Sequence, residues 1–137
     1  MADEEAPDRA LIAAAAEVRD KAYAPYSRFK VGAAIRAADG RIYLGANVEN
    51  ASYPAGLCAE TAALAAMVAG GGGGVLALAI VAEGAEPVPP CGLCRQRLAE
   101  LATPETPIHL GNTAGVWRTL RLGDLLPYAF SAHHLTS

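Results

Sequence analysis

The sequence predicts an α/β domain, a mixed β-sheet with helices packed on its faces. Three features predict it: an opening stretch with apolar residues at helical spacing, a strand pair turned at Asp39-Gly40, and an unbroken apolar run at 75–81 between two helical segments.

Leu11, Ala15, Val18 and Ala22 share one helical face, so an amphipathic helix is expected over 8–23, broken by Ala24-Pro25-Tyr26-Ser27. Val31, Ala33 and Ile35 then alternate with Lys30, Gly32, Ala34 and Arg36, the two-residue period of a strand. Asp39-Gly40 favours a tight hairpin, which makes 41–48 the returning strand. Residues 58–69 read as a second helix, rich in alanine and so able to lie close to a sheet. The glycine run 70–74 ends it and is expected to be a flexible surface loop. The run 75–81 lacks alternation, as a central strand covered on both faces should. After the proline-rich stretch 86–90, a third helix should begin near Cys91. Short strands at 108–110 and 116–121 and a helical turn at 124–126 complete the order. Neither an internal repeat nor a domain boundary is visible, so 1–137 reads as one domain, with 1–7 and 132–137 expected as flexible ends.

The bulk properties limit the partners. Of the 137 residues 53% are hydrophobic and 18% charged, a composition that can build a core. Net charge is −3 and the arginines are scattered, without the basic clusters that grip polynucleotide phosphates. A small, weakly charged substrate is expected, and no nucleic acid. The start Met1-Ala2-Asp3-Glu4-Glu5 lacks the basic beginning of a signal peptide, and the apolar stretches are too short to span a bilayer. A soluble, cytoplasmic protein is expected. Three cysteines, an odd number that includes a Cys-x-x-Cys, suggest metal binding or catalysis before disulfides in that compartment.

Cys91-Gly92-Leu93-Cys94 is ambiguous alone, because a redox dithiol has the same spacing. Cys58 shifts the balance: it too stands at an expected helix start, where backbone N–H groups and the helix dipole favour the thiolate that binds zinc. Three thiolates leave one tetrahedral position for water, the mark of a catalytic zinc site. Glu60, two residues after Cys58, is placed to handle protons without ligating. A structural zinc with His109 as fourth ligand is the competing account, but it leaves Glu60 and the helix-start placement unexplained. The sum, Cys58-Ala59-Glu60 followed by Pro90-Cys91-Gly92-Leu93-Cys94, is recognised as the three-cysteine form of the zinc deaminase signature.

Beyond the metal motif, residues from about 22 to 130 resemble the small homotetrameric cytidine deaminases. The matching words are Ala24-Pro25-Tyr26-Ser27-Arg28-Phe29-Lys30-Val31-Gly32-Ala33-Ala34, Gly45-Ala46-Asn47-Val48-Glu49-Asn50-Ala51-Ser52-Tyr53-Pro54, the two zinc words, and Leu125-Leu126-Pro127-Tyr128-Ala129-Phe130. The resemblance implies a three-layer α-β-α fold with a five-stranded mixed sheet. It implies one Zn²⁺ per subunit on Cys58, Cys91 and Cys94, with Glu60 as the catalytic proton carrier. It assigns Asn47 and Glu49 to the sugar 3′-hydroxyl, Phe29 to stacking on the pyrimidine and the Ala59 backbone to the exocyclic amine. Phe130 is expected to reach the base from a neighbouring subunit, and Tyr53 to help build a site shared between subunits of a homotetramer. The implied reaction turns cytidine or deoxycytidine into uridine or deoxyuridine plus ammonia, a step of pyrimidine salvage.

One position departs. In the tetrameric enzymes the residue after the catalytic glutamate is commonly an arginine that donates to two thiolates; here it is Thr61. Three thiolates bring one more negative charge than Zn²⁺ carries, so donors to sulfur are needed, and the Thr61 hydroxyl or Arg95 is expected to supply them. Blasticidin S deaminases share the zinc signature and lack that arginine, but they also lack the complete Asn-x-Glu-Asn and Phe-Lys-Val-Gly-Ala words. A non-catalytic zinc scaffold would keep the cysteines without needing Glu60, Asn47 and Glu49 together. His133 and His134 are expected in solvent.

Overall fold

A computed structural model describes residues 7–136. The expected end at 1–7 lies outside the described residues, apart from Pro7. The first helix, α1 (Arg9–Arg19), starts where the Asp8 carboxylate accepts the Leu11 N–H at 3.1 Å, an N-cap that satisfies one orphan donor. It stops at Arg19 rather than 23, because Tyr23 leaves the helical path and donates its N–H to the Asn47 carbonyl at 2.9 Å. Strands β1 (Val31–Ala37) and β2 (Ile42–Ala46) form the hairpin, with Ala33 opposite Gly45. Then follow α2 (Ala59–Ala69), β3 (Val75–Ala82), α3 (Gly92–Leu101), β4 (Pro107–Asn112), β5 (Trp117–Arg121) and the short α4 (Leu122–Leu125). A last helical turn, α5 (His133–Thr136), lies within the stretch expected as a flexible end.

The sheet runs β2-β1-β3-β4-β5, with β3 and β4 parallel and every other pair antiparallel. It is therefore mixed and five-stranded, as expected. Successive side chains of a strand point to opposite faces, and here each face has its own core. Leu11 and Ala15 of α1 pack on Ala34, Ala77, Ala79 and Val81. On the other face, Ala59, Ala63, Leu64 and Met67 of α2 and Leu98 of α3 pack on Ala33, Ile35, Leu78 and Ile80. The unbroken apolar run of β3 is thus explained: both its faces are covered.

Two glycines set how near the helices lie. A Cβ on Gly32 would overlap the Ala15 carbonyl and Arg19 backbone of α1, and one on Gly45 would overlap the Ala63 nitrogen and Ala59 carbonyl of α2. The glycine run 70–74, expected to be a flexible loop, is instead a fitted turn. Ala38 N–H donates to the Gly74 carbonyl at 2.9 Å and Asp39 N–H to the Gly72 carbonyl at 3.0 Å. The Arg41 guanidinium donates to the Gly70 carbonyl at 2.6 Å, and Gly71, Gly73 and Gly74 take positive φ angles that only glycine adopts freely. The run thereby ties the end of α2 to the β1–β2 hairpin.

Candidate active site

Both cysteine motifs fall where the sequence places them, at helix starts. Cys58 is the N-cap of α2 and Cys91 the N-cap of α3, and the two helices lie on the same face of the sheet. Cys94, one turn into α3, is 1% exposed. The Cys58 and Cys91 sulfurs are 3.9 Å apart, and all three sulfurs lie within 4.8 Å of one another. Tetrahedral zinc with Zn–S bonds of about 2.3 Å needs sulfurs roughly 3.8 Å apart, so the donor set fits one zinc ion. It is the one such cluster among the described residues. His109 is not part of it. That ring is buried on β4, with Nδ1 2.8 Å from the Thr119 hydroxyl, opposite Ala79 and so on the α1 face of the sheet. A fourth protein ligand of that kind is thereby excluded.

Burial pushes the Cys94 thiol well above its ordinary range, the nearby Glu60 charge adds to this, and the Thr61 hydroxyl works the other way. Cys58 is also raised, first by burial. For Cys91 burial is outweighed by the backbone N–H groups of Cys94 and Leu93 and by the neighbouring sulfurs, and its thiol falls below the ordinary value. Glu60, in the first turn of α2 and 6% exposed, has its carboxyl raised by burial. A carboxyl raised in this way holds and releases a proton nearer neutrality, as an acid–base group requires.

Cys58, Cys91 and Glu60 open onto a cavity of about 600 Å³, whose wall also includes Ala59, Phe29, Asn47, Glu49 and Tyr53. Residues far apart in the chain meet here because the end of β2 and the loop before β1 come over the N-terminus of α2. Bonds between Val48 and Leu57 (2.8 and 2.9 Å) close the chain between them into the 3₁₀ turn Tyr53–Ala55. Asn47 accepts the Val31 N–H at 2.8 Å and donates to the Phe29 carbonyl at 2.9 Å. Glu49 accepts the N–H groups of Tyr26 (2.9 Å) and Ser27 (3.1 Å) and the Ser27 hydroxyl. Their side chains therefore hold the loop that carries Phe29 while facing the cavity.

Of the two residues expected to offset sulfur charge, Thr61 does touch a thiol, with Oγ1 3.4 Å from Cys94 Sγ. Arg95 does not. Its guanidinium donates to the Pro90 carbonyl and the Leu125 carbonyl, both at 2.8 Å, so it braces the metal loop against the C-terminal segment. Phe130 is 56% exposed and lies outside the cavity of its own chain; Gln96 holds its carbonyl at 3.0 Å and the His134 ring stacks on it. His133 and His134 are exposed as expected, though Ser131 bonds to both rings.

Sequence reasoning missed Tyr26, which lines the cavity and meets Tyr53 edge-on at 6.4 Å, and Ser27, the partner of Glu49. It also missed Arg97, which donates to Thr61 Oγ1 at 3.0 Å. The available signal was spacing: Arg97 stands three residues after Cys94 and Thr61 three after Cys58, each one turn along its helix.

Residues 5–110 match the family model for the cytidine and deoxycytidylate deaminase zinc-binding region. The chain is 47% identical over 125 residues to a cytidine deaminase of Halalkalibacterium halodurans, covering 91% of this chain and 95% of the relative. It is 49% identical over 114 residues to a cytidine deaminase of Mycobacterium tuberculosis, covering 83% and 82%. Its structure is similar to the crystal structure of a cytidine deaminase from Burkholderia pseudomallei, with a TM-score of 0.86, 48% identity, and 91% of this chain and 100% of the other covered.

Proposed function

The chain belongs to the cytidine and deoxycytidylate deaminase family, and we propose that it deaminates cytidine and deoxycytidine by zinc-dependent hydrolysis. The observation that carries this reading is one cavity with a sulfur cluster and a buried carboxyl on one side and Phe29, Asn47 and Glu49 on the other.

Cys58, Cys91 and Cys94 would hold the zinc ion, which supplies a Lewis acid that makes water acidic enough to lose a proton near neutral pH. Glu60 takes the proton from the attacking water and delivers it to N3 of the cytosine ring as the oxygen adds to C4. It then takes the proton of the new C4 hydroxyl and passes it to the departing amine, so that the C4 carbonyl forms as the C–N bond breaks. One water is consumed and one ammonia released, leaving uridine or deoxyuridine. The Ala59 backbone orients the exocyclic amine, Phe29 packs on the ring, and Asn47 and Glu49 bind the 3′-hydroxyl. A site that spends an amide and a carboxylate on one hydroxyl rejects substrates that lack it.

The reading extends to a cytoplasmic homotetramer acting in pyrimidine salvage, with sites completed across subunits by Phe130 and Tyr53. Supporting this, Phe130 stands exposed outside its own cavity, and Tyr53 is exposed at the cavity rim. No helix among the described residues is long and apolar enough to cross a membrane. The test is an absorbance assay with cytidine, deoxycytidine, blasticidin S and cytosine, run alongside sedimentation. Turnover of the two nucleosides but not of the free base is expected. Turnover confined to blasticidin S, or none at all, would overturn the reading.

A further inference from the structure

We propose that Arg97, acting through the Thr61 hydroxyl, is a positioning residue that offsets the negative charge of the sulfur cluster at Cys94. This rests on the zinc reading above. Arg97 Nη1 donates to Thr61 Oγ1 at 3.0 Å, so the hydroxyl is engaged as an acceptor and its own proton is free for the Cys94 sulfur 3.4 Å away. A hydrogen-bond chain that starts on a cation polarises each bond along it, and the effect grows where water is excluded.

The sulfurs differ in how they are supplied with donors. The Cys91 sulfur faces two backbone N–H groups, those of Cys94 and Leu93. Cys94 is the most buried of the three, and the Thr61 hydroxyl reaches its sulfur. The relay thus ends on the most buried sulfur of the cluster. Arg97 is free for this task, because it forms no ion pair with a carboxylate among the described residues. An exposed arginine without such a partner ordinarily stays in solvent, and this one instead spans from α3 to α2.

The experiment compares the whole protein with Arg97→Gln, Arg97→Lys, Thr61→Val and the double variant Thr61→Val/Arg97→Gln. Zinc affinity is read by competition with a chromophoric chelator. The cobalt-substituted forms give the energy of the thiolate-to-cobalt charge-transfer band, and circular dichroism checks the fold. Loss of Arg97 or of the hydroxyl should weaken zinc binding about tenfold and move the cobalt band to longer wavelength, since a sulfur without its donor gives up charge more readily. Arg97→Lys should restore much of both. The double variant should lose no more than the worse single one, because Arg97 acts through Thr61. An unchanged band and unchanged zinc affinity in folded Arg97→Gln would overturn the relay, and so would strictly additive losses. Neither readout needs substrate. Failure of the relay therefore leaves cytidine turnover intact, whereas failure of the deaminase reading shows in the absorbance assay.

Discussion

The two sides of the cavity are built on different principles. The sulfur side stands at the starts of α2 and α3, two helices packed on one face of the sheet, with its geometry fixed by helix packing. The side facing it is a loop, residues 26–30, held by the side chains of Asn47 and Glu49. On the proposed reading, the chemistry stands on packed helices and the recognition on a loop held by side-chain hydrogen bonds. A perturbation should therefore damage one side without the other.

The largest effect is expected at the buried carboxyl. Glu60→Ala should lower turnover by about a hundredfold to ten-thousandfold while zinc content and fold survive, measured as kcat alongside metal analysis. Near-normal turnover would remove Glu60 from the chemistry. Next comes the support beneath it. Gly45→Ala forces α2 off the sheet, because the new Cβ would overlap the Ala63 nitrogen and Ala59 carbonyl. It should cost about 1–3 kcal/mol of stability, read from denaturant unfolding, with zinc affinity falling as Cys58 moves. A fully stable variant would show that α2 is not clamped there.

On the opposite side Glu49→Gln should raise KM about tenfold with a smaller change in kcat, since it weakens charge-assisted bonds to the loop and, on the proposed reading, to the sugar. An equal fall in kcat at constant KM would place Glu49 in the chemistry instead. The smallest effect is a titration. The Ser27 hydroxyl, then the N–H groups of Ser27 and Tyr26, hold the Glu49 carboxyl below its ordinary value. A lowered folded-state value means the pinning is complete above the ordinary carboxylate range and is lost as pH falls through the folded value. The amide shifts of Tyr26 and Ser27 should therefore follow one acidic transition below the usual glutamate range. A midpoint at or above that range would break this account of the loop.

The sulfur side was also the more legible in the sequence. Cys58-Ala59-Glu60 and Pro90-Cys91-Gly92-Leu93-Cys94 are local words, and helix-start geometry turns such words into positions. The strand alternation of 31–36 and the two-sided apolar run of β3 carried the sheet in the same way. What escaped was set by contacts between distant segments. Ser27 and Glu49 are 22 residues apart and Thr61 and Arg97 are 36 apart, so their meeting depends on how whole elements are stacked. The glycine run misled for a related reason: composition reports freedom of the isolated chain, whereas Tyr43, Arg41 and Ala38 impose one turn on it. Arg95 was misplaced by nearness in sequence, because its neighbour Cys94 points inward while its own guanidinium turns back to Pro90 and across to Leu125.

The placement of β3 between the two cysteine helices makes the thiols a clock for folding. Cys58 and Cys91 are 33 residues apart and β3 runs between them, so their sulfurs come within 3.9 Å only when α2 and α3 have both docked on the sheet. Contacts of such separation form late, after loop-closure entropy has been met. A millisecond pulse of thiol reagent during refolding would find Cys94 reactive until α3 docks and shielded afterwards. Shielding of Cys94 thus marks the moment when α3 settles against the sheet.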